Sequence, residues 1–226
     1  MRVIPVLLLR DESLVKTVRF GRFRYIGDPC NSARIFNEFE VDELIILDIS
    51  ASKNSRDPNF KLIKEMATEC FMPLTYGGGI STVDQAKSVF DCGVEKISIN
   101  SVLFKDLNLI EEIANIYGEQ AVVCSIDVKK NIFGSYYVYR KSKIFEFTKC
   151  PVKWAKILEN HGAGEILLTS VNREGTWLGY DIEIIKDVTE NTSIPVIALG
   201  GASSISDLID AAKFAKPSAL GVSSMG

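Results

Sequence analysis

Histidine is nearly missing from this chain: His161 is the one copy in 226 residues. A zinc centre built on imidazoles therefore has no donor set, and no metal site is expected. A Ser-His-acid triad would have to form around His161, and no nucleophile elbow stands near it. Its place at the end of an amphipathic stretch suits a helix C-terminus instead. Cysteine is scattered: Cys30, Cys70, Cys92, Cys124 and Cys150 form no C-x-x-C pair. An odd count without metal spacing fits reduced thiols in a reducing compartment. Long apolar runs are missing as well, so no transmembrane helix is expected. The opening MRVIPVLLLRDE runs into charged residues instead of a small-residue cleavage site, and reads as a first strand of a cytoplasmic protein. Neither sign of charge dominates, with 26 basic against 29 acidic side chains and a net charge of −3. That balance gives no reason to expect a nucleic-acid or membrane-surface partner. No cofactor is expected.

What the chain does contain is alternation. Apolar, β-rich runs at 3–9, 44–49, 73–77, 96–100, 121–127, 165–170, 194–199 and 218–223 are separated by amphipathic stretches. These lie near 31–41, 58–70, 82–92, 105–117, 151–161, 181–190 and 204–214. Strict alternation implies parallel strands joined by right-handed crossovers, and eight of them in this length predict a (β/α)8 TIM barrel. The segments DELIILDISAS and GEILLTSVNRE align Glu43 with Glu165. MPLTYGGGIST and IPVIALGGASS align Pro73 with Pro195 and Gly78 with Gly200. EKISINS and PSALGVSS align Ser101 with Ser223. All of these pairs stand 122 positions apart. The chain thus reads as one barrel over 1–226, built from two half-barrel repeats, approximately 1–120 and 121–226. In that frame strand one is equivalent to strand five, and Leu8 to Asp127. The given sequence stops directly after the eighth strand, so the last helix is missing from it.

In such barrels function sits at the C-terminal strand ends. YGGGIS after strand three and LGGASS after strand seven supply Gly78, Gly79, Gly200 and Gly201, whose backbone would cradle an anion. Asn100 and Ser101 after strand four, and Ser223 and Ser224 after strand eight, add small polar groups. The same glycines also suit plain strand-to-helix turns. Two cradles on one mouth suit a phosphorylated small-molecule ligand with a phosphate at each end. Asp127 ends strand five as a candidate general acid or base, or as an ion-pair partner of Lys129 or Lys130. Thr169, Ser170 and Asn172 are expected at the mouth after strand six, and Asp48 and Ser50 after strand two, where Asp48 is equally a turn-maker. A long basic loop after strand one carries Lys16 and reads as a lid or a solvated surface. Residues 129–150 alternate around Gly134 and predict a hairpin after strand five, its aromatic side packed on the barrel rim.

These residues together resemble the HisF family, the cyclase subunit of imidazole glycerol phosphate synthase. The resemblance runs from Arg2 to the end of the chain, through VDELIILDISAS, PLTYGGGI, EKISIN, SIDVKK, GAGEILLTSVNREGT with GYD, and IPVIALGGA. It implies a lyase-type synthase subunit whose partner is a HisH-like glutaminase. Ammonia from that partner would pass through the barrel. A four-residue gate at the bottom corresponds to Arg2, Glu43, Lys96 and Glu165, with Glu95 as a glutaminase contact. Phosphate contacts correspond to Gly79, Asn100, Gly175, Gly201 and Ser223, and the loop-one lysine to Lys16. Of the family's two catalytic aspartates, Asp127 matches one and Leu8 stands at the other. A leucine neither donates nor accepts a proton. A second branch, HisF-like proteins found with surface-polysaccharide genes, has a leucine-rich strand one like PVLLLRDESLVKT. That resemblance implies ammonia delivery to a separate sugar amidotransferase for amidine formation. Two alternatives stand beside it: an active histidine-pathway cyclase, and a non-catalytic scaffold that activates a glutaminase.

Overall fold

The computed structural model describes residues 1–140 and 150–223. Residues 141–149, part of the segment expected to form a hairpin after strand five, and Ser224 lie outside the described residues. The chain runs β1 (Arg2–Arg10), β2 (Ser13–Thr17), β3 (Phe23–Gly27), α1 (Pro29–Glu38), β4 (Leu44–Asp48), α2 (Phe60–Glu69), β5 (Leu74–Gly77), α3 (Val83–Asp91) and β6 (Lys96–Ile99). It continues through α4 (Asn108–Tyr117), β7 (Val122–Lys130), β8 (Tyr136–Val138), α5 (Pro151–Asn160), β9 (Glu165–Ser170), α6 (Ile182–Asn191), β10 (Val196–Leu199), α7 (Ile205–Phe214) and β11 (Ala219–Val222).

Eight of the strands, β1, β4, β5, β6, β7, β9, β10 and β11, form a parallel sheet that closes on itself where β1 pairs with β11, Arg2 opposite Ala219. The (β/α)8 barrel is therefore formed. Side chains alternate across each strand. Ile4, Val6, Ile45, Val123, Leu167, Ile197, Leu199 and Ala219 meet inside the barrel. The opposite faces pack under the helices, among them Leu44, Ile46, Leu74, Tyr76, Ile166 and Leu168.

Helices α1, α2, α3 and α7 start where a side chain accepts from one of their first amides. Asp28 accepts from Asn31 N ahead of Pro29 in α1. Thr82 caps α3, and Ser204 with Asp207 forms a capping box on α7. Thr82 and Ser204 continue the internal repeat, so the two glycine loops run into helices capped by the same chemistry. His161 is the C-cap of α5, with Nδ1 2.7 Å from Glu111 Oε1.

The segment after β1 departs from expectation. The long loop predicted there is an antiparallel hairpin, with β2 on the overhanging end of β1 (Leu8 opposite Val15) and β3 on β2. Charged residues interleave its apolar ones, and its strand state depends on an extended end of β1 that offers an open ladder. The hairpin after strand five is present in its described part: β7 runs on to Lys130 and pairs with Tyr136–Val138. Part of its aromatic side meets the rim, with Tyr139 6.3 Å from Phe20 and Tyr136 bonded to Asp181.

Candidate functional site

At the N-terminal end of the barrel, four inward side chains close a ring of alternating charge. Arg2 bonds Glu43 through one guanidinium nitrogen and Glu165 Oε1 through the other at 2.7 Å. Lys96 Nζ lies 3.1 Å from Glu165 Oε2 and 3.6 Å from Glu43 Oε2. The residues come from β1, the start of β4, β6 and β9, and are brought together by barrel closure alone. Each carboxylate touches both cations, so no charge is left without a partner in this partly buried setting. Glu95, expected to contact a partner, is exposed on the same end, with one carboxylate oxygen accepting from Leu74 N at 2.7 Å.

Above the ring one side of the interior is polar. Thr75, Ser98, Ser125 and Thr169 are buried, and the Ser98 and Ser125 hydroxyls lie 2.7 Å apart. The facing side is formed by Ile4, Val6, Leu8, Ile45 and Leu47. A file of hydroxyls beside an apolar wall can hand on a small neutral molecule that both donates and accepts hydrogen bonds, while giving no place to a large charged one.

The C-terminal end holds Asp127, on the inward face of β7 in step with Val123 and Ser125. Asn100 Nδ2 donates to its Oδ2 at 2.9 Å. Burial pushes the carboxyl up to about 7; hydrogen bonds from Asn100 and Thr169 pull against this, and the neighbouring charge of Glu174 adds to it. A carboxyl that titrates near neutrality can both give and take a proton. The ion pair with Lys129 or Lys130 does not form: Lys130 Nζ bonds Glu183 at 2.5 Å, and Lys129 sits over the Tyr139 ring. Leu8 lies on the inward face of β1 and is 7% exposed. Across the mouth from Asp127 there is hydrocarbon.

Two residues expected at the mouth face elsewhere. Asp48 follows Leu44 and Ile46 onto the outer side of the barrel wall. Its Oδ1 accepts from Ser50 N at 2.8 Å, Ser50 Oγ at 2.7 Å and Ala51 N at 3.0 Å, so it builds a turn and holds Ser50 in it. Ser50 also accepts from Arg56 at 2.7 Å. Ser170, the repeat partner of Asp48, faces outward too, and its hydroxyl donates to Asp181 at 2.9 Å. Thr169 alone of that pair points inward. Asn172 braces the rim by accepting from Lys130 N at 2.9 Å.

The glycine loops repeat at the level of contacts. Gly78 has φ +121, and a Cβ there would lie 2.4 Å from Asp48 O. Gly200 has φ +107, and its Cβ would lie 2.9 Å from Ser170 O. Both positions need glycine for backbone reasons alone, so the tight-turn explanation holds whether or not an anion binds. Gly79 and Gly201 follow them, and Gly79 N donates to Ser52 Oγ at 3.2 Å. Asn100 leads into a short turn of helix that begins at the exposed Ser101. Lys16, exposed on β2, and Ser223, beyond β11, line a small space with Leu8, Thr17 and Glu174. Gly175 follows Glu174 in the loop after β9 and lies against Thr17 O.

Glu174 is the residue that sequence reading passed over. It is a 3% exposed carboxylate beside Asp127, in a loop whose neighbours were read as mouth residues. Its one signal was a single acid between Arg173 and Gly175. The five cysteines are free thiols, and of them Cys124 is buried while Cys150 is exposed. No group of His, Cys, Asp and Glu suited to a metal occurs among the described residues, and among them no helix is long and apolar enough to cross a membrane.

The chain is thus a closed (β/α)8 barrel with an ion-pair ring at one end and a buried carboxylate at the other. The chain belongs to the family described as Histidine biosynthesis protein, whose profile matches residues 2–224, and within it to the HisF group. It is 51% identical over 209 residues to a Pseudomonas aeruginosa protein provisionally named imidazole glycerol phosphate synthase subunit hisF2, covering 92% of this chain and 83% of the relative. A Leptospira borgpetersenii protein with the provisional name of subunit HisF is 48% identical over 208 residues, covering 90% and 81%. The imidazole glycerol phosphate synthase subunit HisF of Chlorobium phaeobacteroides is 43% identical over 210 residues, covering 92% and 83%.

Proposed function

We propose that this chain is a HisF-type synthase subunit that receives ammonia from a HisH-like glutaminase. The glutaminase docks on the end bearing Arg2, Glu43, Lys96, Glu165 and Glu95. Ammonia passes the ring, follows the hydroxyls of Thr75, Ser98, Ser125 and Thr169, and leaves at Asp127. In this reading it serves amidine formation on a sugar in surface-polysaccharide biosynthesis, by way of a separate sugar amidotransferase. The glycine loops with Asn100, Ser101 and Ser223 are retained to hold phosphate groups at the mouth. The observation that carries the reading is Leu8. Imidazole closure with substrate cleavage needs proton donation and removal on two sides, and the wall facing Asp127 carries no titratable atom at that position. Loss of one member of such a pair costs about 10²- to 10⁴-fold in rate.

The test is turnover of the phosphoribulosyl-formimino aminoimidazole substrate with excess ammonium, in wild type and in Leu8→Asp. Wild type is expected to be silent and the variant to gain activity. Robust wild-type turnover would instead assign the chain to the histidine-pathway cyclases. A glutaminase that is activated by the chain but delivers no ammonia to any acceptor would reduce it to a scaffold.

A further inference from the structure

On the side of the mouth formed by β7 and β9, two loops carry large apolar side chains into solvent. The turn between β7 and β8 holds Ile132 and Phe133 at 93% and 86% exposure. Turn tips ordinarily carry small polar residues. This one is nonetheless fixed, since Asn131 Oδ1 accepts from Phe133 N and Ser135 N, both at 2.9 Å. The loop after β9 leaves Trp177 and Leu178 exposed, with Trp177 at φ +58. A left-handed aromatic residue is costly and persists where its surroundings over-determine it. Here Arg173 Nη1 donates to Leu178 O at 2.6 Å and Thr176 N to Arg173 O at 3.0 Å, which braces the loop. Between the two loops lies a groove of about 460 Å³, lined by Asn131 and Tyr136 on one bank and Asn172, Arg173 and Tyr180 on the other. The same loop reaches the upper end of the barrel interior, because Glu174, next in the chain to Arg173, is buried beside Asp127. The acids of this rim are engaged within the chain: Glu174 by Thr17, Asp181 by Tyr136 and Ser170, Glu183 by Lys130. Lys129, Arg173 and Arg19, whose amide is bonded to Glu174 O, have no carboxylate within ion-pair distance among the described residues. The rim is apolar at its tips and positive between them.

We infer that this rim is the docking surface for the enzyme that consumes the ammonia. That partner is a folded protein with an acidic facing surface and apolar cover for Ile132, Phe133, Trp177 and Leu178. The inference rests on the proposed function and deepens it by naming where the acceptor sits. Ammonia released at Asp127 into open water would be protonated and diluted, so its acceptor has to cover the outlet. Braced loops lose little freedom when they are covered. Aromatic anchors in such a patch carry most of the binding energy, and the cations around them set partner choice and encounter rate. A groove lined by amide, hydroxyl and guanidinium groups favours a protein over a lipid surface, which would leave those groups without partners.

The test uses the chain in complex with its glutaminase, and a sugar amidotransferase that forms the amidine from added ammonium. Phe133→Ser and Trp177→Ser change exposed side chains on which the fold does not rest. Each is expected to weaken binding of the amidotransferase about tenfold or more, read by surface plasmon resonance. Wild-type binding should weaken as salt is raised; binding that salt leaves unchanged overturns the acidic partner surface. In the transfer assay, amidine formed per glutamine hydrolysed should fall several-fold in both variants. Glutamine hydrolysis and amidine formation from added ammonium should keep their wild-type rates. Ile116→Ser, at an exposed position on α4, should leave all three unchanged. Wild-type binding and transfer in the Phe133→Ser, Trp177→Ser double variant overturn the inference and leave the proposed function standing. If the wild-type chain passes no ammonia from glutamine to the amidotransferase, the proposed function falls and the inference with it. Two other occupants are read on the chain alone. A dimer in sedimentation that the double variant abolishes assigns the patch to a second copy. Co-sedimentation with phosphatidylglycerol vesicles that the double variant abolishes assigns it to a membrane. Either result overturns the inference.

Discussion

Asp127 carries the clearest consequence of a single side chain's surroundings. Its carboxyl is raised from the ordinary carboxylate range to about 7, first by burial. Between roughly pH 4 and 7 the folded chain therefore holds a proton that the unfolded chain has released. Stability from this group is present at low pH and is lost as pH rises through about 7, the reverse of a salt-bridged aspartate. Asp127→Asn is expected to flatten that part of the stability curve and to gain on the order of 1–2 kcal/mol over wild type at pH 8. Urea denaturation at pH 5 and pH 8 measures it, and an unchanged slope in the variant would mean that another group titrates. At the same scale, strand parity decided what was legible. Thr169 and Ser170 were both expected at the mouth, yet neighbours in a strand face opposite sides. Asp48, displaced by the same rule, makes a turn.

Among the elements, the glycine loops and the hairpin contrast in how far sequence revealed them. The loops after β5 and β10 were visible because repeated glycines and hydroxyl caps are local signals. Each packs tightly on the end of a neighbouring strand: Gly78 lies against Asp48 O as Gly200 lies against Ser170 O. Gly78→Ala would put a Cβ where a carbonyl stands and demand a left-handed φ of a residue that resists it. It is expected to cost about 2 kcal/mol or more in chemical denaturation. A loss under about 0.5 kcal/mol would mean that the loop after β5 shifts freely off the end of β4. The hairpin was read as a loop because Lys16, Arg19, Arg22 and Arg24 break its apolar pattern. Its strands exist because β1 overruns the barrel by several residues and leaves Leu8–Arg10 to be paired.

For the whole molecule, the ring of Arg2, Glu43, Lys96 and Glu165 links the end expected to bind a glutaminase with the barrel interior. Lys96→Ala leaves both carboxylates to Arg2 and opens one side of the ring. In the complex with a glutaminase, glutamine-driven transfer is expected to fall several-fold against glutamine hydrolysis, while use of added ammonium is unchanged. Assaying both ammonia sources on one preparation separates this outcome from a general loss of fold. An equal fall with both sources would make the ring a structural rim and no gate.

The sequence by itself determined the order of strands and helices, the half-barrel repeat and the residue types of the ring. It also determined the leucine at position 8, because hydrophobic period, caps and internal similarity are properties of short segments. The tertiary structure alone decided which side chains face inward, that Arg2 meets Glu165 across 163 positions, and that Glu174 reaches back 157 positions to Thr17. Such contacts exist only once β11 closes on β1. Packing of eight strands fixes their register there, and no local preference carries information about a partner so far along the chain.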